Sequence, residues 1–178
     1  MQVQYHYTDS EIKELLGSIR ILVDTREQMN QHILEKLDRS GVSHESKKLE
    51  FGDYSCYLPI NLNLGIVKPV YFTNKITIER KANLEELSGN LTQNRAQFEN
   101  EMLRAKGSGC QLVLMVEDGS WADIEAGNYN TQFNSKAFMG SLLSFQVKYG
   151  LQISFVNKNM AASFVLGNMY YWIRSVIV

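Results

Sequence analysis

Cysteine, unbalanced charge and long apolar runs are all scarce in this chain, and each scarcity removes a class of protein. The two cysteines, Cys56 and Cys110, lie far apart, in neither a disulfide-dense framework nor the paired spacing of a zinc site, and read as reduced structural thiols. Lys and Arg number 18 against 19 Asp and Glu, a formal net charge of −1, so attraction to an anionic polymer has to come from locally placed cations or from metal ions. The most apolar stretch, 161–178, is interrupted by Asn168 and Arg174 and falls short of the roughly 20 apolar residues that span a bilayer. It reads as a buried or interface helix, with no membrane role. The first residues carry neither a basic nor an apolar signal region, which predicts a cytoplasmic protein. Internal repeats and low-complexity segments are also lacking.

What is present suits one packed core. Hydrophobic residues make up 44%, charged residues 21% and aromatics 11% of 178 residues, too apolar for a disordered chain and about the length of one domain. Thr8 and Glu11 have capping-box spacing ahead of Ile12, Leu15 and Leu16, which predicts a short helix in an N-terminal extension over 1–18, before a main domain over 19–178. Arg20-Ile-Leu-Val-Asp24 is a buried strand ending on a carboxylate, and 31–39 a helix closed by Ser40-Gly41. Segments 44–58 and 66–81 are rich in β-branched and aromatic residues and predict successive antiparallel strands. Helices are expected over 83–90, 94–106, 135–149 and 160–174, and strands over 111–116 and 151–156. The span 118–134, with Trp121, Tyr129 and several Asn and Gly, predicts a polar surface loop in which those two aromatics pack rather than stack on bases. This order of elements predicts an α/β fold with a mixed sheet and helices on both faces.

Three short stretches carry candidate chemistry. In Lys75-Ile-Thr-Ile-Glu-Arg-Lys81 the strand period of two puts Glu79 and Lys81 on one face and Arg80 on the other. Gly52-Asp53 opens the preceding strand, where glycine admits a close neighbour and Asp53 offers a second carboxylate. Asp24 supplies a third. Taken singly these readings are weak, since Glu-x-Lys is common on solvated strand faces and Asp53 or Asp24 would serve as turn or cap residues. Convergent carboxylates beside a lysine nevertheless fit Mg²⁺ or Mn²⁺, which favours oxygen ligands, and a phosphodiester whose hydrolysis needs a polarised phosphate and an activated water. His6, His32 and His44 show no ligand spacing.

Taken together, Val23-Asp-Thr-Arg-Glu27, Phe51-Gly-Asp-Tyr54 and Ile78-Glu-Arg-Lys81 resemble the nuclease domain of XPF-type structure-specific endonucleases, within the PD-(D/E)XK superfamily. Asn94-Arg95, the strand over 111–117 and the stretch over 139–150 are similar to further family segments, so only the first 18 or so residues fall outside. The resemblance implies a restriction-endonuclease-like central mixed sheet. It implies Asp24, Asp53 and Glu79 as acidic metal-site residues, Lys81 as the catalytic lysine, and Arg26, Glu27, Arg80 and Arg95 as supporting or DNA-contacting residues. The family's acidic residue four positions past the lysine is Glu85 here instead of Asp, a longer carboxylate with a different reach. The tandem helix-hairpin-helix domain that often follows in this family has no counterpart in these residues, which leaves a role for a DNA-binding partner protein. Family members pair through C-terminal helices, and Phe164, Val165, Tyr170, Tyr171, Trp172 and Ile173 fit a homodimer interface of that kind.

The resemblance therefore implies a metal-dependent DNA endonuclease acting near flaps, forks, nicks or junctions, in DNA repair or recombination. A non-catalytic DNA-binding or scaffolding subunit is the alternative from another class, and intact Asp24, Asp53, Glu79 and Lys81 argue against it. A sequence-specific restriction-type nuclease is a third, against which the Glu-Arg-Lys run and the Asp-Thr-Arg-Glu strand end both weigh.

Overall fold

A computed structural model describes residues 6–177. It opens with helix α1 (Asp9–Gly17), capped as its sequence predicts, with the Thr8 hydroxyl accepting from the Glu11 backbone N–H and the Glu11 carboxylate accepting from Thr8 N–H. Strand β1 (Arg20–Val23), helix α2 (Gln31–Arg39) and strand β2 (His44–Ser46) follow. Next come β3 (Tyr54–Leu58), β4 (Val70–Tyr71) and β5 (Ile76–Lys81), with a short 3₁₀ turn at Leu62–Leu64. Helices α3 (Leu84–Leu91) and α4 (Arg95–Gly107) lead into β6 (Gln111–Glu117). Helices α5 (Trp121–Ala126) and α6 (Ser135–Tyr149), strand β7 (Gln152–Val156), a 3₁₀ turn at Lys158–Met160 and helix α7 (Ala161–Ile177) complete the order.

The sheet runs β2-β1-β3-β5-β6-β7, with β4 also pairing to β3. It is mixed: β5, β6 and β7 run parallel, β2 runs parallel to β1, and β3 is antiparallel to β1, β4 and β5. Period-two alternation sorts the side chains into two layers. On one side Ile21, Val23, Tyr54, Cys56, Ile76, Ile78, Val113 and Met115 meet residues of α1, α2 and α7. On the other, Leu112, Leu114 and Val116 meet residues of α3, α4, α5 and α6. Both cysteines are free and buried. Among the described residues no helix is long and apolar enough to cross a membrane.

Two expectations change. Residues 44–58 do not form one continuous strand: β2 lies parallel to β1 at the sheet edge and the chain leaves the sheet at 47–53, while β3 runs antiparallel to β4 and β5 of the 66–81 segment, as expected. The span 118–134 is not merely a loop: Ser120 caps α5 through the Asp123 backbone N–H, and Ile124 is fully buried. Trp121 meets Phe155 edge-on at 5.2 Å and Tyr129 meets Phe138 at 5.3 Å, so these aromatics pack, as expected. Of the apolar α7 residues expected at an interface, Val165 and Ile173 lie in the core, and Phe164, Tyr170 and Trp172 pack against it. Tyr171 is left 68% exposed.

Candidate active site

Gly52 is the residue that lets β3 begin beside β5. Its φ is +71°, and a Cβ there would lie 2.8 Å from Thr77 Cβ, so only glycine fits without displacement. The backbone then ties three strand ends together. Asp53 N–H donates to Ile78 O at 2.8 Å, and Asp24 N–H donates to Asp53 O at 2.7 Å. Alternation along β3 and β5 places Asp53, Ser55 and Tyr57 on the same sheet face as Thr77, Glu79 and Lys81, while Arg80 shares the opposite face with Ile76 and Ile78. Asp53, Glu79 and Lys81 are thus brought together as the sequence predicts.

The charges on this face do not balance. Lys81 Nζ lies 2.7 Å from Glu79 Oε1 and 3.5 Å from Glu86 Oε1, and sits over the Phe98 ring at 5.5 Å. Glu101 of α4 accepts from Gly52 N–H at 2.9 Å and adds a further carboxylate. Burial, reinforced by the charges of Glu79 and Glu27, pushes the Asp53 carboxyl well above the usual carboxylate range. Burial pushes Glu79 up to about 7, with Lys81 opposing and Glu101 adding to the rise. Lys81 is shifted up, because the neighbouring carboxylates outweigh its own burial.

Asp53 Oδ2 accepts from Arg80 N–H at 2.8 Å. Among the described residues no hydrogen bond engages Asp53 Oδ1 or Glu79 Oε2. Two carboxylates with spare oxygens and surplus negative charge fit a hard dication, since Mg²⁺ is held by one or two carboxylates together with waters and substrate phosphates. A ready-made group of three or more His, Cys, Asp or Glu ligands is not present among the described residues.

Asp24 shares this face but is committed elsewhere. Its Oδ1 accepts from Arg26 N–H at 2.8 Å and Arg26 Nε at 2.7 Å, and its Oδ2 accepts from Arg26 Nη2 at 3.1 Å and Leu49 N–H at 2.6 Å. Burial acts to raise this carboxyl, and the bonds from Arg26 and Leu49 outweigh it and hold the group below its ordinary value. Arg26 Nη2 also donates to Leu49 O at 3.1 Å, so Asp24 and Arg26 clamp the returning segment at Leu49.

Across the sheet Arg80 anchors a second polar cluster. Its Nε and Nη2 donate to the two oxygens of Glu117, both at 2.9 Å, and its Nη1 donates to Glu27 Oε1 at 2.8 Å. His32 Nε2 lies 2.9 Å from Glu117 Oε1, Tyr54 OH donates to Glu27 at 3.2 Å, and Asn30 Nδ2 donates to Tyr54 OH at 3.0 Å. Burial opposes the Glu117 charge, but the Arg80 and His32 bonds prevail and lower its pKa. Arg80 links the two clusters, since its side chain belongs to this one and its backbone N–H holds Asp53.

Two expected residues stand apart. Glu85 accepts from Asn130 N–H at 2.8 Å, facing the 128–134 segment, while its neighbour Glu86 is the one that reaches Lys81 and also accepts from Ala82 N–H. Arg95 lies over the Phe145 ring at 5.2 Å, bonds Ser141 Oγ at 3.1 Å and pairs with Glu99 at 3.2 Å, bridging α4 and α6. Glu101, Glu86, Glu117 and His32 were not singled out from the sequence. Glu117 ends a buried strand on a carboxylate, the same signal that drew attention to Asp24.

A family model, the ERCC4 domain, matches residues 23–167. Among solved structures, XPF from Aeropyrum pernix matches with TM-score 0.62 at 18% identity, over 87% of this chain and 65% of that one. XPF from Aeropyrum pernix in complex with DNA matches with TM-score 0.59 at 18% identity, over 88% of this chain and 65% of that one. At such identity the likeness is one of fold, and the present chain spans 65% of the length of those proteins. A comparison with curated protein sequences gives no match.

Proposed function

The chain belongs to the ERCC4 domain family, a family of structure-specific DNA endonuclease domains, and from that premise we propose that it is a metal-dependent endonuclease. Its substrate would be a phosphodiester bond near a flap, fork, nick or junction, in DNA repair or recombination. The observation that carries this reading is the group formed by half-buried Asp53 with buried Glu79 and Lys81, which holds more carboxyls than its own lysine neutralises.

Asp53 and Glu79 would hold Mg²⁺ or Mn²⁺. When bound, such an ion polarises a phosphate oxygen and lowers the pKa of a coordinated water. Lys81, steadied by Glu79, Glu86 and Phe98, presents an ammonium to the charge that develops on the phosphate. Arg80 fixes the Asp53 carboxylate through its backbone N–H and is itself held by Glu27 and Glu117. Asp24, proposed from sequence as a metal ligand, acts in this reading by positioning Arg26 and Leu49. Arg26, with its side chain 63% exposed, would meet phosphate, whereas Arg95 and Glu85 would support the α3–α6 layer. A homodimer through α7 would use exposed Tyr171 and Val176, and a DNA-binding partner would extend the grip.

Labelled flap, fork, junction and linear duplex DNAs, incubated with Mg²⁺, Mn²⁺ or EDTA, test the proposal on a gel. Metal-dependent incision confined to the discontinuous substrates, and lost in Asp53→Asn, supports it. Binding without incision under every metal condition would favour the scaffolding alternative.

A further inference from the structure

We propose that Lys47, Lys48, Arg20 and the Tyr57–Tyr71 pair form a track for single-stranded nucleic acid leading away from the candidate active site. The inference deepens the endonuclease reading and rests on it, by naming where the unpaired arm of a branched substrate lies.

The first support is an aromatic and basic surface on the correct face. Tyr57 follows Asp53 by four residues in β3 and so shares its side of the sheet, about 13 Å along the strand. Tyr71 pairs with Tyr57 across β3 and β4, and their rings stack at 5.0 Å and 26°. Tyr57 is 7% exposed but Tyr71 is 41% exposed, with Lys47 Nζ over its ring at 4.6 Å. Arg20 pairs with Tyr57 from β1 and therefore faces the same side. Arg20, Lys47 and Lys48 are exposed, and Glu45, which accepts from Tyr57 OH at 3.1 Å, and exposed Glu50 are the acids nearby in sequence.

The second support is the physical tie between this surface and the site. Lys47 N–H donates to Val23 O at 2.8 Å, and Leu49 N–H donates to Asp24 Oδ2 at 2.6 Å. The two lysines are therefore held between bonds to β1 and Asp24 instead of riding on a free loop. The exposed Tyr71 ring, backed by Tyr57, offers stacking to an unpaired base, which a closed duplex does not present, and fixed lysines follow the backbone.

Fluorescence anisotropy in EDTA tests the track, using the full chain, a labelled flap duplex and the same duplex without its flap. The variants are Lys47→Ala/Lys48→Ala, Tyr71→Ala and Tyr71→Phe. Loss of the lysines is expected to weaken flap binding on the order of tenfold and to reduce its salt slope by about 1.4, from about 0.7 per single-strand phosphate contact. Tyr71→Ala is expected to weaken flap binding on the order of tenfold, Tyr71→Phe to keep it, and affinity for the flapless duplex to stay unchanged throughout. If the wild type binds the flap and these variants bind it equally well, or lose flapless duplex to the same extent, the track is wrong and the endonuclease reading survives. If the wild type binds neither DNA, both fall.

Discussion

Arg80 and Glu79 are adjacent in β5, yet their surroundings differ. Nε, Nη1 and Nη2 of Arg80 all meet a carboxylate oxygen of Glu117 or Glu27, and His32, Tyr54 and Asn30 extend that cluster. On Glu79's side, Glu79 and Glu86 meet the Lys81 ammonium, Asp53 and Glu101 add further carboxyls, and Asp53 and Glu79 are raised chiefly by burial, Asp53 further by Glu79 and Glu79 further by Glu101. The first arrangement is what a fold needs to bury polar groups. The second works against folding unless another cation arrives, and a cost of that kind is what the proposed metal site would explain. In the proposed endonuclease one strand thus carries a structural face and a reactive one, joined by the Arg80 backbone N–H that holds Asp53.

Breaking the structural face should produce the largest stability effect. Arg80→Ala leaves Glu27 and Glu117 without their guanidinium and should cost about 3–5 kcal/mol, read as a lower urea midpoint. A loss under 1 kcal/mol would remove the distinction between the faces. Gly52→Ala should cost about 1–3 kcal/mol, because alanine disfavours φ +71° and its Cβ would meet Thr77. Incision should fall with it, since the start of β3 carries Asp53, and unchanged incision would show that the site tolerates this shift.

The smallest effect expected is in pH dependence, where Glu117 and Glu79 act with opposite sign and the raised Glu27 acts in the same direction as Glu79. The lowered pKa of Glu117 contributes stability above its ordinary value of 4.5, and this is lost as the pH falls through the folded-state value below that. The raised Glu79 binds its proton more tightly in the folded chain, so its contribution is present below 4.5 and is lost as the pH rises toward about 7. Unfolding midpoints should therefore decline on both sides of an acidic optimum. Glu79→Gln should make the decline toward neutral pH shallower, leaving the share of the raised Asp53 and Glu27, and an unaltered profile would contradict the assignment.

Much of this was legible because the signals are local. Alternation in Glu79-Arg80-Lys81 correctly separated Arg80 from its neighbours, and Gly52 announced the close approach that Thr77 now explains. Capping at Thr8 and Glu11 set the start of α1. What escaped was non-local. Glu117 reaches Arg80 only because β6 lies parallel to β5, and Glu101 enters the site because α4 brings it to Gly52. The Asp24 carboxylate is committed by Leu49, 25 residues further along, a bond that spacing does not foretell. Helix α5 was hidden by its shortness inside the polar span 118–134, although Ser120 and Asp123 carried a cap signal.

Asp53→Asn tests the separation of the two faces most directly, by measuring incision of flap DNA in Mg²⁺ and the urea midpoint on the same preparation. The substitution removes a half-buried carboxylate while leaving an acceptor for Arg80 N–H. The account predicts that incision is abolished while the midpoint stays level or rises. Retained incision, or a midpoint that falls as far as in Arg80→Ala, would contradict it.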